Sequence, residues 1–172
     1  RKKNGELSNI DSIPQNDSLR FETLKYKRTV YGGGGVMPDI FVPLDTLSYT
    51  DYFKELVSKG VINSYVLDRI DKNRNSLLEK FPDFKSFDNG FVVDSTMINE
   101  IVSQAKDDGI AENPEQLKLS KDKIKTQVKA LFAKDIYLNN DYYQILNREE
   151  PAYMKAIEVI SSKKEYQNIL KN

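Results

Sequence analysis

The sequence predicts a mainly helical α+β protein, in which a short β segment at about residues 19–43 precedes about five to six helices. Residues 19–42 contain short runs of β-branched and aromatic side chains, which are separated by turn-forming residues. After Asp45, apolar side chains instead recur at the three- and four-residue spacing that is typical of helices. Ten tyrosines and eight phenylalanines also supply the large apolar side chains that disordered chains lack.

We expect the chain to have three parts: a polar lead-in over residues 1–18, a β segment over 19–45 and a helical domain over 46–172. The lead-in is rich in Asn, Asp and Ser. In the β segment, Lys27 and Arg28 are the predicted turn between the first two strands, and Gly32–Gly35 is the predicted hinge before the third. The three predicted strands lie within residues 19–26, 29–31 and 40–42.

Capping residues and apolar spacing mark the predicted helices. Gly60 should end the first helix and Pro82 the second, because Gly adopts the left-handed conformation readily and Pro cannot continue a helix. Residues 84–91 are expected to be irregular and held to the core by three phenylalanines. The later helices should begin at Asp94 or Ser95, at Ser120, at Asp141 and at Pro151, with the last residues either continuing the sixth helix or following a break at Ser161–Ser162.

The composition excludes several classes of catalytic site. The chain has 26 basic and 26 acidic residues, and it contains neither Cys nor His. It therefore cannot carry a thiolate nucleophile, a Cys/His zinc site, a Ser-His-Asp triad or an imidazole acid or base. No apolar run approaches the ~20 residues that span a membrane, so no membrane span is expected in this chain.

Two short patterns imitate ligand-binding loops without their essential residues. Gly32–Gly35 lacks the Lys-Ser/Thr pair of a phosphate-binding loop, and no helix signal follows it. The residues from Asp71 onward resemble the first half of a calcium-binding loop, but Ser76 stands in the place of the required Gly and Pro82 in that of the Glu. We therefore expect no cofactor and no metal ion.

Two Ser-x-x-Lys patterns, Ser120–Lys123 and Ser161–Lys164, match the spacing of acyl-transferring enzymes but lack the companion elements of those sites. Ser120 is better explained as a helix cap. Lysines between residues 118 and 134 make the fourth helix basic, yet the net charge of zero favours a solvated helix face over a nucleic-acid interface. No catalytic residue and no nucleic-acid partner are predicted.

The stretch from Arg28 to Pro43 carries a more specific pattern. Residues 35–42, Gly-Val-Met-Pro-Asp-Ile-Phe-Val, resemble the Gly-Ile/Val-x-Pro-Asp-Ile-x-Val element that ends the catalytic core of carboxyl-terminal processing peptidases. These enzymes are the tail-specific serine peptidases of family S41, and Arg-Thr-Val-Tyr before four glycines is similar to Bacteroidetes-like members. The residues that match this motif have a structural role in the family: Arg28, Gly32, Gly33, Gly34, Gly35, Pro38 and Asp39. Relatives often have Gly at the position of Lys27, so the turn here should be looser.

This resemblance implies that the chain is the C-terminal, non-catalytic part of a serine endopeptidase that cleaves polypeptides in the periplasm or cell envelope. The β segment would complete the protease core. The parent's serine and lysine would both precede Arg1, because neither of their motifs occurs here. In such a Ser-Lys dyad, a desolvated neutral amine takes the proton of the attacking serine. A substrate-binding PDZ domain would also lie upstream.

The rival interpretation is a helical protein-interaction or oligomerisation module without protease function. Both interpretations allow a homo-oligomer. Strand edges of the β segment would keep unpaired N–H and C=O groups, and these could pair with another copy of the chain. Apolar residues such as Phe41 would add buried area to such a contact.

Overall fold

The computed structural model of the chain describes residues 4–13, 17–32 and 37–171 and confirms the predicted mainly helical α+β class. Within these ranges a two-stranded sheet precedes eight α-helices. The strands are β1 (Arg20–Glu22) and β2 (Thr29–Tyr31), and the helices are α1 (Asp51–Ser58), α2 (Val61–Lys80), α3 (Phe84–Gly90), α4 (Ser95–Asp107), α5 (Pro114–Ile136), α6 (Asn139–Asn147), α7 (Pro151–Ser161) and α8 (Lys163–Lys171). None of these helices is long and apolar enough to cross a membrane.

The chain forms two compact units. The terminal unit combines Arg1–Asp45 with Glu150–Asn172, and the central unit consists of Thr46–Glu149. One unit boundary therefore coincides with the predicted end of the β segment at residue 45. Residues 150–172, which form the end of the predicted helical domain 46–172, belong to the terminal unit.

The core of the central unit is built around α5, which packs against α1, α2 and α6. Fully buried side chains from these helices and from α4 fill it: Leu56, Val66, Ile70, Ile101, Ile124, Val128 and Phe132. Each such side chain contributes about 1.5–3 kcal/mol when it leaves water. The three- and four-residue spacing of apolar side chains after Asp45 therefore corresponds to the buried faces of these helices.

Residues 84–91 differ from the prediction, because most of them form α3 rather than an irregular stretch. Asp83 begins this helix: its side chain accepts a hydrogen bond from the Ser86 N–H (2.7 Å), and its own N–H donates to Ser86 Oγ (3.3 Å). Phe87 is fully buried and stacks on Phe91 at 4.6 Å between ring centroids. The three phenylalanines do reach the core, but from a short helix and the residue that follows it.

Polar contacts also hold α3 to its neighbours. Lys129 on α5 donates to the backbone carbonyl of Asp88 at 2.6 Å, and Arg148 donates to the Asp88 carboxylate at 2.5 Å. Tyr137 at the end of α5 donates from its hydroxyl to the carbonyl of Phe81, which ends α2 shortly before α3, at 2.6 Å. A helix of only seven residues is therefore positioned by side chains that come from distant parts of the sequence.

Several predicted helix ends are confirmed. The Asp94 side chain accepts from the Met97 N–H (2.9 Å) and caps α4. Gly109 has a φ of +75° just after α4, and the Ile110 N–H returns to the Ala105 carbonyl, as in a Schellman motif. Pro151 occupies the first turn of α7. This helix ends at Ser161, and α8 begins after Ser162.

Candidate functional site

The β hairpin of the terminal unit contains the first residues of the motif at residues 28–43. β1 and β2 pair antiparallel, with Phe21 opposite Val30. Thr23 closes the loop, because its N–H donates to the Arg28 carbonyl (2.9 Å) and its Oγ1 accepts from the Arg28 N–H (3.0 Å). Lys27 adopts a φ of +52°, the only positive φ of a non-glycine residue in the part of the chain that the structure describes.

Replacing Lys27 with Gly should stabilise this hairpin by about 0.5–1 kcal/mol, because the left-handed conformation strains every residue that has a Cβ atom. Lys25→Gly, in the same loop but without a positive φ, should give no gain. Amide hydrogen exchange of Thr23, whose N–H closes the loop, measures the difference. Equal or faster exchange in Lys27→Gly would contradict the assigned backbone strain.

The structure brings together two charged residues of the motif. The Arg28 guanidinium forms an ion pair with the Asp39 carboxylate, although the glycine run separates them in sequence. Gly32 donates its N–H to the Leu19 carbonyl (2.7 Å), and a Cβ atom there would lie 3.0 Å from the Phe21 ring. Gly33, Gly34 and Gly35 lie outside the described residues, so the predicted hinge is described only at Gly32.

Residues 40–42 do not form the predicted third strand; in the described ranges only β1 and β2 form a sheet. Pro38 and Pro43 flank this short apolar run, and neither can donate a backbone hydrogen bond to a ladder. Leu44 instead donates its N–H to the Leu7 carbonyl at 2.8 Å, which ties the segment to the lead-in. The apolar side chains of this segment line a groove.

This groove, within the terminal unit, is the candidate site. Its volume is about 710 Å³, within the range of small-ligand pockets. Residues 38–45 line it together with α7, α8 and the lead-in residues Glu6, Leu7 and Ile13. From α7 it receives Ala152, Ala156 and Val159, which share one helix face at the i, i+4, i+7 spacing. Small side chains on that face keep the groove open.

Charged side chains also line the groove. Among the described residues they are the carboxylates of Glu6, Asp39, Asp45 and Glu150 and the ammonium group of Lys155, and Asp39 is paired with Arg28. Lys155 donates to Glu158 (2.7 Å) and lies 3.7 Å from Glu165, so it joins α7 to α8. The hydrogen bond to Glu158 raises the pKa of Lys155 and keeps it protonated. A charged amine cannot serve as a general base, and none of the described residues that line the groove is a Ser.

The two Ser-x-x-Lys patterns do not form catalytic pairs either. Ser120 is not a cap but lies fully buried inside α5, where its hydroxyl donates to the Gln116 carbonyl at 2.7 Å. Asn113 caps α5 instead, accepting from the Gln116 N–H at 3.0 Å, with Pro114 in the first turn. In the second pattern, Ser161 is the last residue of α7 and Lys164 lies in α8, with Ser162 between the two helices.

The segment that resembles the first half of a calcium-binding loop is helical, since the residues from Asp71 to Ser76 lie inside α2. A continuous helix cannot wrap its carboxylates around a cation as a calcium-binding loop does. Among the described residues, no group of three His, Cys, Asp or Glu side chains is arranged to hold a metal ion. The groove cannot be recognised in the sequence, because its lining comes from both ends of the chain.

Comparisons with known proteins place the central unit in a family. A family model described as "Family of unknown function (DUF8443)" matches residues 52–139, which span most of the central unit and half of the chain. No curated protein and no solved structure matches the chain. The chain belongs to this family of unknown function, DUF8443.

Proposed function

We propose that the chain is the non-catalytic C-terminal part of an S41 carboxyl-terminal processing serine endopeptidase. The observation that carries the proposal is the motif at residues 28–43, whose Arg28 and Asp39 are joined by an ion pair. The family match lies in the central unit and the motif in the terminal unit, so the proposal rests on the motif.

The contacts of the motif residues favour a structural role for them. Arg28 anchors the segment after the glycine run to the hairpin before it, and Gly32 allows the Phe21 ring to approach the backbone. Neither arrangement presents a nucleophile or a base. The Ser-Lys dyad and the polypeptide-binding surface would lie upstream of Arg1, and the enzyme would work in the periplasm or cell envelope.

A second candidate function is a helical protein-interaction or oligomerisation module without protease activity. The apolar groove favours it, because a groove of this kind can bind an apolar segment of another protein. The two functions are compatible in one protein, since the C-terminal part of a peptidase can also mediate association.

Determining the complete reading frame around this chain tests the first candidate. The proposal predicts an upstream Phe-Gly-Lys-Gly-type element that carries the lysine base, preceded by a Ser-Ala-Ser-Ala-Ser-type element that carries the nucleophile. A frame in which neither element precedes Arg1 would leave the interaction module as the remaining candidate.

The 172-residue chain alone should hydrolyse no peptide. The Ser120 hydroxyl is buried and already donates to Gln116, and the chain has no His or Cys to activate another nucleophile. Incubation with unstructured polypeptides and a fluorogenic peptide library checks this expectation. Turnover that is lost on replacing one Ser of this chain with Ala would contradict it.

A further inference from the structure

Two Asn-Gly pairs in this chain have the chemistry for an attack of the backbone on a side chain. Gly has no Cβ atom to shield its amide nitrogen, so this nitrogen can reach Cγ of the preceding Asn and close a five-membered succinimide ring. The two pairs are Asn4-Gly5 and Asn89-Gly90. The structure holds them in different ways.

The first pair lies in a turn of the terminal unit. Asn4 is exposed, and its Nδ2 donates to Glu6 Oε1 at 3.3 Å, which is a long hydrogen bond. Gly5 has a φ of +75°, and its carbonyl accepts from the N–H groups of Ser8 and Asn9 at 2.9 and 3.0 Å. Neither residue of the pair belongs to a helix or a strand. The Asn4 side chain can therefore turn onto the Gly5 nitrogen without breaking a regular element.

The second pair closes α3. Helical geometry directs the Gly90 N–H to the backbone carbonyl four residues earlier. The next N–H, that of Phe91, donates to the Phe87 carbonyl at 2.8 Å, and a Cβ atom at Gly90 would lie 2.8 Å from the Phe81 ring. A succinimide ring requires a backbone torsion at Asn that lies outside the helical range, so the last turn of α3 must open before Asn89 can react.

We propose that Asn4 is a site of spontaneous deamidation and that α3 protects Asn89 from the same reaction. The Gly5 nitrogen gives up its proton and forms a bond to Cγ of Asn4, while the bond from Cγ to Nδ2 breaks and ammonia leaves with that proton. Water then opens the ring at one of its two carbonyl carbons and gives aspartate or isoaspartate. Solvent water is the only co-reactant, and the inference does not depend on the peptidase proposal.

Deamidation changes the structure around Asn4 in two ways. The hydrogen bond to Glu6 is lost, because the departing ammonia contains Nδ2. Isoaspartate also carries the main chain through the former side chain and lengthens it immediately before the turn in which the Gly5 carbonyl accepts from Ser8 and Asn9. A neutral residue of the lead-in thus becomes acidic without the action of an enzyme.

Peptide mapping by mass spectrometry of the folded 172-residue chain, incubated at mildly alkaline pH, tests the proposal. Asn4 should be converted at least about tenfold faster than Asn89, because a cost of only ~1.4 kcal/mol for opening α3 already slows the second site by that factor. Both aspartate and isoaspartate should appear at residue 4. Asn4→Gln is the matched variant and should stay unmodified at this residue, because its side chain is one methylene too long for a five-membered ring.

Two further samples separate protection by α3 from an intrinsic difference between the two pairs. In urea, where both pairs lie in an unfolded chain, the two rates should become similar. Asp83→Ala removes the capping box of α3 and should speed the conversion of Asn89 about fivefold, the factor for ~1 kcal/mol of lost capping, without changing that of Asn4. Equal rates for the two sites in the folded chain would overturn the proposal. So would a rate difference that persists in urea, or aspartate without isoaspartate at residue 4, since that product indicates direct hydrolysis of the amide.

Discussion

Phe87→Ala should lower the free energy of unfolding of the central unit by about 3–5 kcal/mol, the loss that is typical of a large-to-small substitution in a core. The Phe87 side chain is fully buried. Its ring stacks on Phe91 at 4.6 Å, meets Phe81 edge-on at 5.8 Å and lies 5.6 Å from the ring of Tyr137. Removing it would leave a cavity among rings that cannot all move to fill it.

Urea unfolding followed by circular dichroism measures this loss, and Phe84→Ala is the matched control on the same helix. Phe84 is half-buried and contacts Tyr137 at a longer centroid distance of 6.3 Å. Phe84→Ala should therefore lower the free energy of unfolding by less, about 1–2 kcal/mol. A loss below about 1 kcal/mol for Phe87→Ala would show that α3 does not anchor this part of the core.

The central unit should also lose stability between about pH 10 and pH 12 through Tyr65. Burial, together with donation of its hydroxyl to Glu100 Oε2 at 2.6 Å, raises the pKa of Tyr65 from 10.0 to about 12, while the nearby Arg69 opposes the rise. Because the folded state holds the proton more tightly than the unfolded state, this stabilisation is complete below pH 10. It is lost as the pH rises towards 12, by on the order of 2–3 kcal/mol in total.

Unfolding free energies measured from pH 8 to pH 12 test this expectation against Tyr65→Phe, whose pH dependence should be flatter over the same window. At pH 7 the substitution should cost about 1 kcal/mol through the lost hydrogen bond. Tyr52→Phe is the control at pH 7: the buried Tyr52 hydroxyl has no hydrogen-bond partner among the described residues, so its removal should cost nothing. If the free energy of unfolding depends on pH equally in the wild type and in Tyr65→Phe, the stabilising role given to the raised pKa of Tyr65 would be contradicted.

The fold could be predicted from the sequence wherever the signal is local. The cap of α4 at Asp94 and the beginning of α7 at Pro151 each depend on a few neighbouring residues. The same holds for the left-handed conformation of Gly109 just after α4. Apolar spacing placed the stripes of α1, α4 and α5 correctly, because one face of each helix is buried in the central unit. Such features need no knowledge of the rest of the chain.

The wrong predictions have two causes, which are a stronger signal nearby and contacts with distant residues. Ser120 has the chemistry of a cap, but the helix begins six residues earlier at the stronger Asn113-Pro114 signal, and the packing of α5 then buries Ser120. Residues 40–42 have strand composition without a partner strand, and they line the groove instead. The short α3 depends on Lys129 and Arg148, which come from far along the chain.

The candidate site could be predicted only in part. The motif at residues 28–43 was recognisable, and the structure adds the Arg28–Asp39 ion pair, which spacing alone does not reveal. The groove was not predictable, because its lining combines residues 6–13 and 38–45 with residues 150–170. No sequence window contains all of these segments, and their apolar residues resemble ordinary core positions.

Peptide hydrolysis by the protein encoded by the complete reading frame is the decisive measurement for the peptidase proposal. We expect this protein to cleave unstructured polypeptides, cleavage to be abolished when the upstream lysine is replaced with Ala, and the 172-residue chain alone to be inactive. A complete protein without activity, or cleavage by the 172-residue chain itself, would contradict the claim that this chain is the non-catalytic C-terminal part of a serine peptidase.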